Sequence, residues 1–575
     1  MRDVTARDRV APWALHDDNI QPSGTRDMTT SRAVIDCGAP RRARGPRRLI
    51  ALAALLLLAF AAPSGAQTWS SLWSDYHDQM LWGDRAWSQR RLQELPTIVE
   101  RELIDTQVIP GLIELLAKEK DNALRANAAW ALGEIAGPDS RAAASDALLA
   151  ALQDPEDRVR AAAAQALGVA YVPERGVDLL ELARDSAAGR RLVDNKALKD
   201  DLRVGALWAL AASEDAQQVP GLIELFDDVA DSKHGIKSTI ARALGRCGRG
   251  SAEQAAEFLH DQLSDHWLEE SVRSSAARAL AELGQPSSLP VLTKVFGKLK
   301  SDEVIQASIL LAIGEIAEPS DTKALKLLLD EAFKNDDAGV RARALMAATL
   351  LLADDTEASA NSKNHKTYVS KLKAQLKKPK HRGDGPLHAL AAGYYSRAHL
   401  ERGEDLMELV LKELDDVKDP KARGAYALSM GLGRGEDYGE VLLELFRDTK
   451  HTGVRASVAE ALGMLGNQDA LAVLREELGE RGQAGGLISD CATAMMLLSD
   501  TDALTSIATL LADSDNIETR ASLVRTYGTF RTPAAVSALH DIVTDAKRDD
   551  ATRRAACTAL GRAATARVTS WAAPY

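Results

Sequence analysis

A ten-residue pattern recurs along this chain and leaves few folds open to it. LRANAAWALG at 124–133, VRAAAAQALG at 159–168, IKSTIARALG at 236–245, VRSSAARALA at 272–281 and VRASVAEALG at 454–463 share one frame. The frame fits thirteen starts: 124, 159, 202, 236, 272, 305, 340, 387, 422, 454, 487, 519 and 552. Successive starts lie 32–36 residues apart, except for two wider steps of 43 and 47 that mark insertions. A repeat of this length is the signature of stacked supersecondary units. Positions 5, 6 and 9 are apolar, the buried stripe of an amphipathic helix. Position 8 is mostly Ala, and position 10 is Gly in eight frames. Glycine inside a helix costs about 1 kcal/mol against Ala, so its recurrence predicts a neighbouring helix in close approach. Position 2 is Arg or Lys in ten frames. A cation in the first turn opposes the helix dipole. It is therefore expected to pair with acidic residues of the preceding turn, as Asp154 and Asp157 stand before Arg160.

Upstream of the frames lies a second apolar pattern: IPGLIELLAKE at 109–119, VPGLIELFDDVA at 219–230, LPVLTKVFGKL at 289–299 and YGEVLLELF at 438–446. Several copies open with Pro, which is harmless in a first turn. Acidic or Gly-containing links such as QDPED at 153–157 and NDDAG at 335–339 join the two. The unit is a helix–turn–helix of 33–35 residues, stacked thirteen times. Aromatic residues make up only 4% of the chain. A core of Ala, Leu and Val favours close-packed helices over sheets, which prefer aromatic and β-branched residues.

The helix pair, the D-P-x-x-x-V-R link and the A-x-x-A-L-G core resemble HEAT repeats. DPEDRVRAAAAQALG at 154–168 is similar to the short HEAT-like variety named after phycobilin lyases. The resemblance covers 109–564 and implies an all-α, armadillo-like fold: a right-handed α-solenoid, or superhelix, of about thirteen helix pairs. It implies that second helices line a concave surface. On function it is nearly silent, because function lives in sites grafted onto folds.

Residues 1–66 read as a leader. Arg41, Arg42, Arg44, Arg47 and Arg48 precede the apolar run LIALAALLLLAFAA at 49–62, and Ser64 and Ala66 occupy the small-residue positions. That is a secretory signal, with cleavage expected after Ala66. Its fourteen apolar residues span about 21 Å as a helix, short of the ~30 Å hydrocarbon core, so an uncleaved anchor is the weaker alternative, and no stable span is expected after cleavage. Met28 is an alternative start that gives a more ordinary leader. The chain is expected outside the cytoplasm, in the periplasm or secreted. Residues 67–108 hold Trp69, Trp73, Trp82 and Trp87 and read as an amino-terminal cap, with a partner-docking segment as the alternative. Insertions fall near 187–201, expected as a mobile loop, and 354–386, expected to supply a first helix. The tail, 565–575, ends with Trp571 and Tyr575, expected either to fold back over the last repeat or to mark missing sequence.

The net charge is −12, and with ten Arg and six Asp in residues 1–66 the body carries −16. A body that acidic excludes general nucleic-acid binding, which needs a basic footprint. Cys37, Cys247, Cys491 and Cys557 form no C-x-x-C pair. Neither a phosphate-binding loop nor H-E-x-x-H is present. Gly431, Gly433 and Gly435 lie between helices with no preceding strand, and His260 and His266 do not share a helical face. The chain lacks the His-Glu pairs of deoxyhypusine hydroxylase and the basic groove of HEAT-like DNA glycosylases. No catalytic residue, metal or cofactor is therefore expected. The expected function is a non-catalytic scaffold that binds protein partners along the concave face, with a lyase-type enzyme or subunit as the alternative. Positions 4, 7 and 11 form the stripe that would face the groove. Its position 7 holds Trp130, Trp208, Arg242, Arg278, Leu311 and Met346, a candidate contact surface. A second candidate, for an acidic partner, is the Lys-rich insertion with Lys373, Lys377 and Lys378.

Overall fold

The structure is a computed structural model. It describes residues 101–564, apart from 171–178, 194–197, 300–301, 354–362, 434, 436–437, 480–484, 501, 529 and 531. The described residues are helical throughout and contain no strand. Thirteen helix pairs follow one another. The second helices are Asn122–Ile135, Asp157–Val169, Asp200–Ser213, His234–Cys247, Glu270–Leu283, Glu303–Ile316, Ala338–Ala353, Gly385–Ala398, Pro420–Gly433, Thr452–Leu465, Gly485–Leu497, Ile517–Tyr527 and Asp550–Ala564. Each contains its frame, except that Gly528 of repeat 12 caps its helix, so the register read from the repeat is the register of the fold. The insertion expected as a mobile loop is partly helical, at Ala187–Arg191. Ser186 caps that turn, and Arg190 holds Asp185 at 2.7 Å. The second insertion supplies the first helix of repeat 8, Lys363–Lys377. The Trp-rich stretch up to 100 and the tail from 565 lie outside the described residues.

The position-10 glycines do what their spacing implied. A methyl group on Gly133 would lie 2.8 Å from the Cα of Ala166, and one on Gly463 2.7 Å from that of Ala494. Gly245 meets Ala279, Gly314 meets Ala347, Gly431 meets Ala461 and Gly528 meets Ala559 in the same way. The partner in each case is the position-8 alanine of the following repeat. Recurrent Gly and recurrent Ala are thus two halves of one contact, which brings second helices together along their length while first helices only touch. Packing tighter on one layer than on the other bends the stack, with second helices inside the curve.

The bend closes. The second helix of repeat 13 packs against the second helix of repeat 1, and their first helices also touch. The joint reuses the chemistry of the internal joints in the same register. Along the array, a position-2 arginine reaches the acidic link of the next repeat: Arg125 to Asp154 at 2.8 Å, Arg341 to Asp384 at 2.6 Å, Arg520 to Asp549 at 3.0 Å. Arg553, at position 2 of repeat 13, reaches Glu119 in the link of repeat 1, at 2.5 Å. Ser274, at position 3, meets Ser308, at position 4 of the next repeat, at 2.7 Å. In the closing joint Asn127, at position 4, donates to the carbonyl of Arg554, at position 3, at 3.3 Å. Gly561, the last position-10 glycine, faces the indole of Trp130, 2.5 Å from where its methyl would stand. The expected open arc is therefore a ring. Thirteen second helices at 8–10 Å spacing give a perimeter of about 105–130 Å, or about 33–41 Å across their axes.

Candidate interaction surfaces

Most of the position-7 side chains of the candidate stripe are covered. Trp130 is 2% exposed, Met346 1%, Leu311 7% and Arg242 7%. Trp208 and Arg278 are half-buried. Trp130 fills the closing joint against Gly561, which corrects the expectation that it lines an open groove: it is core. Further round, the stripe is knit together across repeats. The Arg242 guanidinium sits over the Trp208 ring, 5.9 Å from its centroid, and donates to Glu282 at 2.9 Å; Arg246 reaches the same carboxylate at 3.4 Å. These charges are buried and paired, where truncating one partner costs far more than at a surface.

The lysines stand apart from that stripe, on a first helix facing outward. Lys377 and Lys378 are exposed and Lys373 is half-buried. Tyr368, Leu372 and Leu376 supply the buried face of the same helix, and Lys371 pairs with Asp330 at 3.4 Å. The structure thus does not bring the two candidate surfaces together.

Sequence reasoning missed the polar interior of repeats 7 and 8. His365 Nδ1 lies 2.8 Å from the Tyr395 hydroxyl, and Tyr368 and Thr349 hydroxyls meet at 2.8 Å. His399 Nε2 contacts the carbonyl of Leu352 at 2.7 Å. Arg341 clamps Asp384 with two hydrogen bonds, at 2.6 and 3.0 Å, and caps the carbonyls of Asn335 and Asp336. Burial beside this pair pushes His388 down to about 4, so it is a neutral packing group at neutral pH. The thiols are equally inert. All three described cysteines are buried; burial raises Cys247 to about 12 and pushes Cys491 and Cys557 up as well. The only sequence signal for this interior was the run of His and Tyr at 365–399, which has no spacing of its own. Among the described residues no group of three or more His, Cys, Asp or Glu is placed to hold a metal ion. No described helix is long and apolar enough to cross a membrane.

The family model described as HEAT repeats matches residues 109–199, 267–349 and 407–483, and that of the PBS lyase HEAT-like repeat matches 202–228. The chain is a HEAT-repeat protein. Among solved structures, this HEAT-repeat protein is similar to a Kap121p mutant, with 13% identity and a TM-score of 0.37 over 84% of this chain and 55% of that one. It is similar to the karyopherin Kap121p bound to the extreme C-terminus of the protein phosphatase Cdc14p, with 12% identity and a TM-score of 0.36 over 84% and 57%. The protein YibA of E. coli matches at 19% identity and a TM-score of 0.31, over 48% of this chain and 96% of that one. The chain spans a little over half the length of the two karyopherin structures. Likenesses at this level say nothing of how the chain curves or what it binds. No curated protein matches the chain significantly.

Proposed function

We propose that this HEAT-repeat protein is an exported, non-catalytic scaffold that binds protein partners in the periplasm or at the cell envelope. The observation that carries the reading is where the chemically capable side chains go. The buried Arg–carboxylate pairs join one repeat to the next, the His365–Tyr395 hydrogen bond joins the two helices of repeat 8, and the thiols are buried. What the repeats offer outward is their first helices and links, a broad surface of changing charge suited to macromolecular contact. Export is supported by the Arg-flanked apolar run at 49–62 and the small residues Ser64 and Ala66. The exposed Lys377 and Lys378, with Lys373, are a site for an acidic partner; changing all three to Gln is expected to weaken such binding and flatten its salt dependence. Affinity capture from the envelope fraction, with amino-terminal sequencing of the recovered protein, tests both parts. A start at Gln67 and a saturable protein partner are expected. A cytosolic product retaining residues 49–66 would overturn the export reading, and failure to recover any saturable partner would overturn the scaffold.

A further inference from the structure

We propose that the outer face of repeat 5 binds a Lys- and Arg-bearing segment of a partner protein, with Trp267 as its apolar anchor. The inference rests on the scaffold reading and names one surface and one class of partner for it. Trp267 is 85% exposed, far more than the other exposed large apolar side chains, Val304 at 51% and Ile517 at 48%. It stands in the link between Ala252–Ser264 and Glu270–Leu283, the two helices of repeat 5. Its ring leans on His266 at 4.7 Å, and its backbone N–H donates to the Asp265 carboxylate at 2.9 Å, which fixes the backbone from which the indole projects. The next residue, Leu268, packs toward the core. In the following repeat the contact between Ser274 and Ser308 aligns the two second helices.

The charge around the patch has one sign. Residues 250–272 contain Glu253, Glu257, Asp261, Asp265, Glu269 and Glu270 and neither Lys nor Arg. Five of these, Glu253, Glu257, Asp261, Asp265 and Glu269, are spaced by four residues, a stripe that runs along the first helix and past Trp267, and all five are exposed. Like charges at that spacing repel along a helix. Other first helices of the ring balance theirs: Glu114 with Lys118, Glu181 with Arg184, Asp330 with Lys334. Among the described residues, no Lys or Arg lies within ion-pair distance of the repeat 5 stripe. An indole attracts cations to its face, and carboxylates flanking an apolar anchor select a basic amphipathic segment while repelling acidic ones.

The test uses the full chain and an 18-residue helical peptide with Lys at every fourth position and Leu on the opposite face. A Glu-for-Lys peptide serves as the control. The basic peptide is expected to bind saturably and the acidic one not at all. D261N/D265N/E269Q/E270Q is expected to weaken binding about tenfold and to lower its salt dependence. Trp267→Ala is expected to weaken it about fivefold with an unchanged melting temperature, because the side chain is solvent-exposed. Neutralising four other exposed carboxylates, in D415N/D416N/E440Q/E444Q, is expected to change affinity less than about twofold. Equal weakening in that control would reduce the effect to net charge and overturn the proposal. So would wild-type binding by the Trp267→Ala and repeat 5 variants together. Self-association abolished by Trp267→Ala would make a second copy the occupant, with the same consequence. A protein partner still captured from the envelope by the repeat 5 variant would sink this surface while leaving the scaffold standing.

Discussion

Trp130→Ala tests the closed ring most directly. The indole is 2% exposed and lies against Gly561, which has no side chain to move into the space. A Trp side chain buries about 150–250 Å². At about 25 cal/mol per Å² its removal forfeits about 4–6 kcal/mol of transfer free energy. Measured Trp or Phe truncations at buried sites run at about 3–5 kcal/mol, and a site that cannot collapse belongs at the upper end. The loss falls on a single joint, while the internal joints keep their contacts, seven Gly–Ala approaches and the Arg–carboxylate pairs among them. The variant is therefore expected to open before it unfolds. Small-angle scattering reads the difference: the closed ring measures about 60–73 Å across, from its inner circle plus an outer helix layer on each side. Opening should raise the radius of gyration while far-ultraviolet dichroism stays unchanged, and urea should act in two steps rather than one. An unaltered radius together with a denaturation midpoint within about 0.5 kcal/mol of wild type would refute the assignment of Trp130 to the joint.

Acid should loosen the same joint. Burial works to raise the Glu119 carboxyl, but hydrogen bonds from Arg553 and from the backbone of Lys120 and Asp121 hold it below its ordinary value. Burial also lowers His540, which lies against Gly111 across the joint. Both shifts favour the ring above the unfolded values, 4.5 for Glu and 6.5 for His. The joint is therefore expected to weaken as pH falls through that window and on below 4.5; a pH series of radii checks this, and Glu119→Gln should remove the lower limb. Gly463→Ala should destabilise by about 1–3 kcal/mol in urea melts despite the better helix propensity of Ala. Gly235→Ala, where the added methyl meets nothing within 4 Å, should instead be neutral or stabilise by up to about 1 kcal/mol. Arg341→Ala strands the buried Asp384 carboxylate and should cost about 3–5 kcal/mol in the same assay.

The frame made most of the architecture legible before any coordinates. Position 10 announced a close approach and position 2 an ion pair, and both occur at the residues indicated. Arg160 does take Asp157 of its own link, yet the Asp154 carboxylate is claimed by Arg125 of the repeat before. The array's ion pairs bridge units as well as closing turns. Closure was harder to see, because curvature is the sum of thirteen small angles and each depends on how neighbouring side chains fill the outer layer. Gly561 and Arg553 keep the contact-making positions of the frame in repeat 13, and both are used in the closing joint. Exposure along the candidate stripe was not legible for a different reason. Periodicity gives the face of a helix on which a side chain lies, and a face is not exposure: Trp130 lies on the stripe and is covered by repeat 13.

Closure also fixes a number. In an open stack, repeats can be duplicated or lost one at a time, and the array only grows or shrinks. A ring of thirteen turns about 28° at each joint, since a cyclic arrangement must complete a full rotation. Fourteen units would need about 26° and twelve would need 30°, so a single gain or loss obliges every Gly–Ala contact in the circle to readjust together. Copy number in this protein is therefore a property held collectively by all the joints, and a change in it is a change of fold geometry rather than of length.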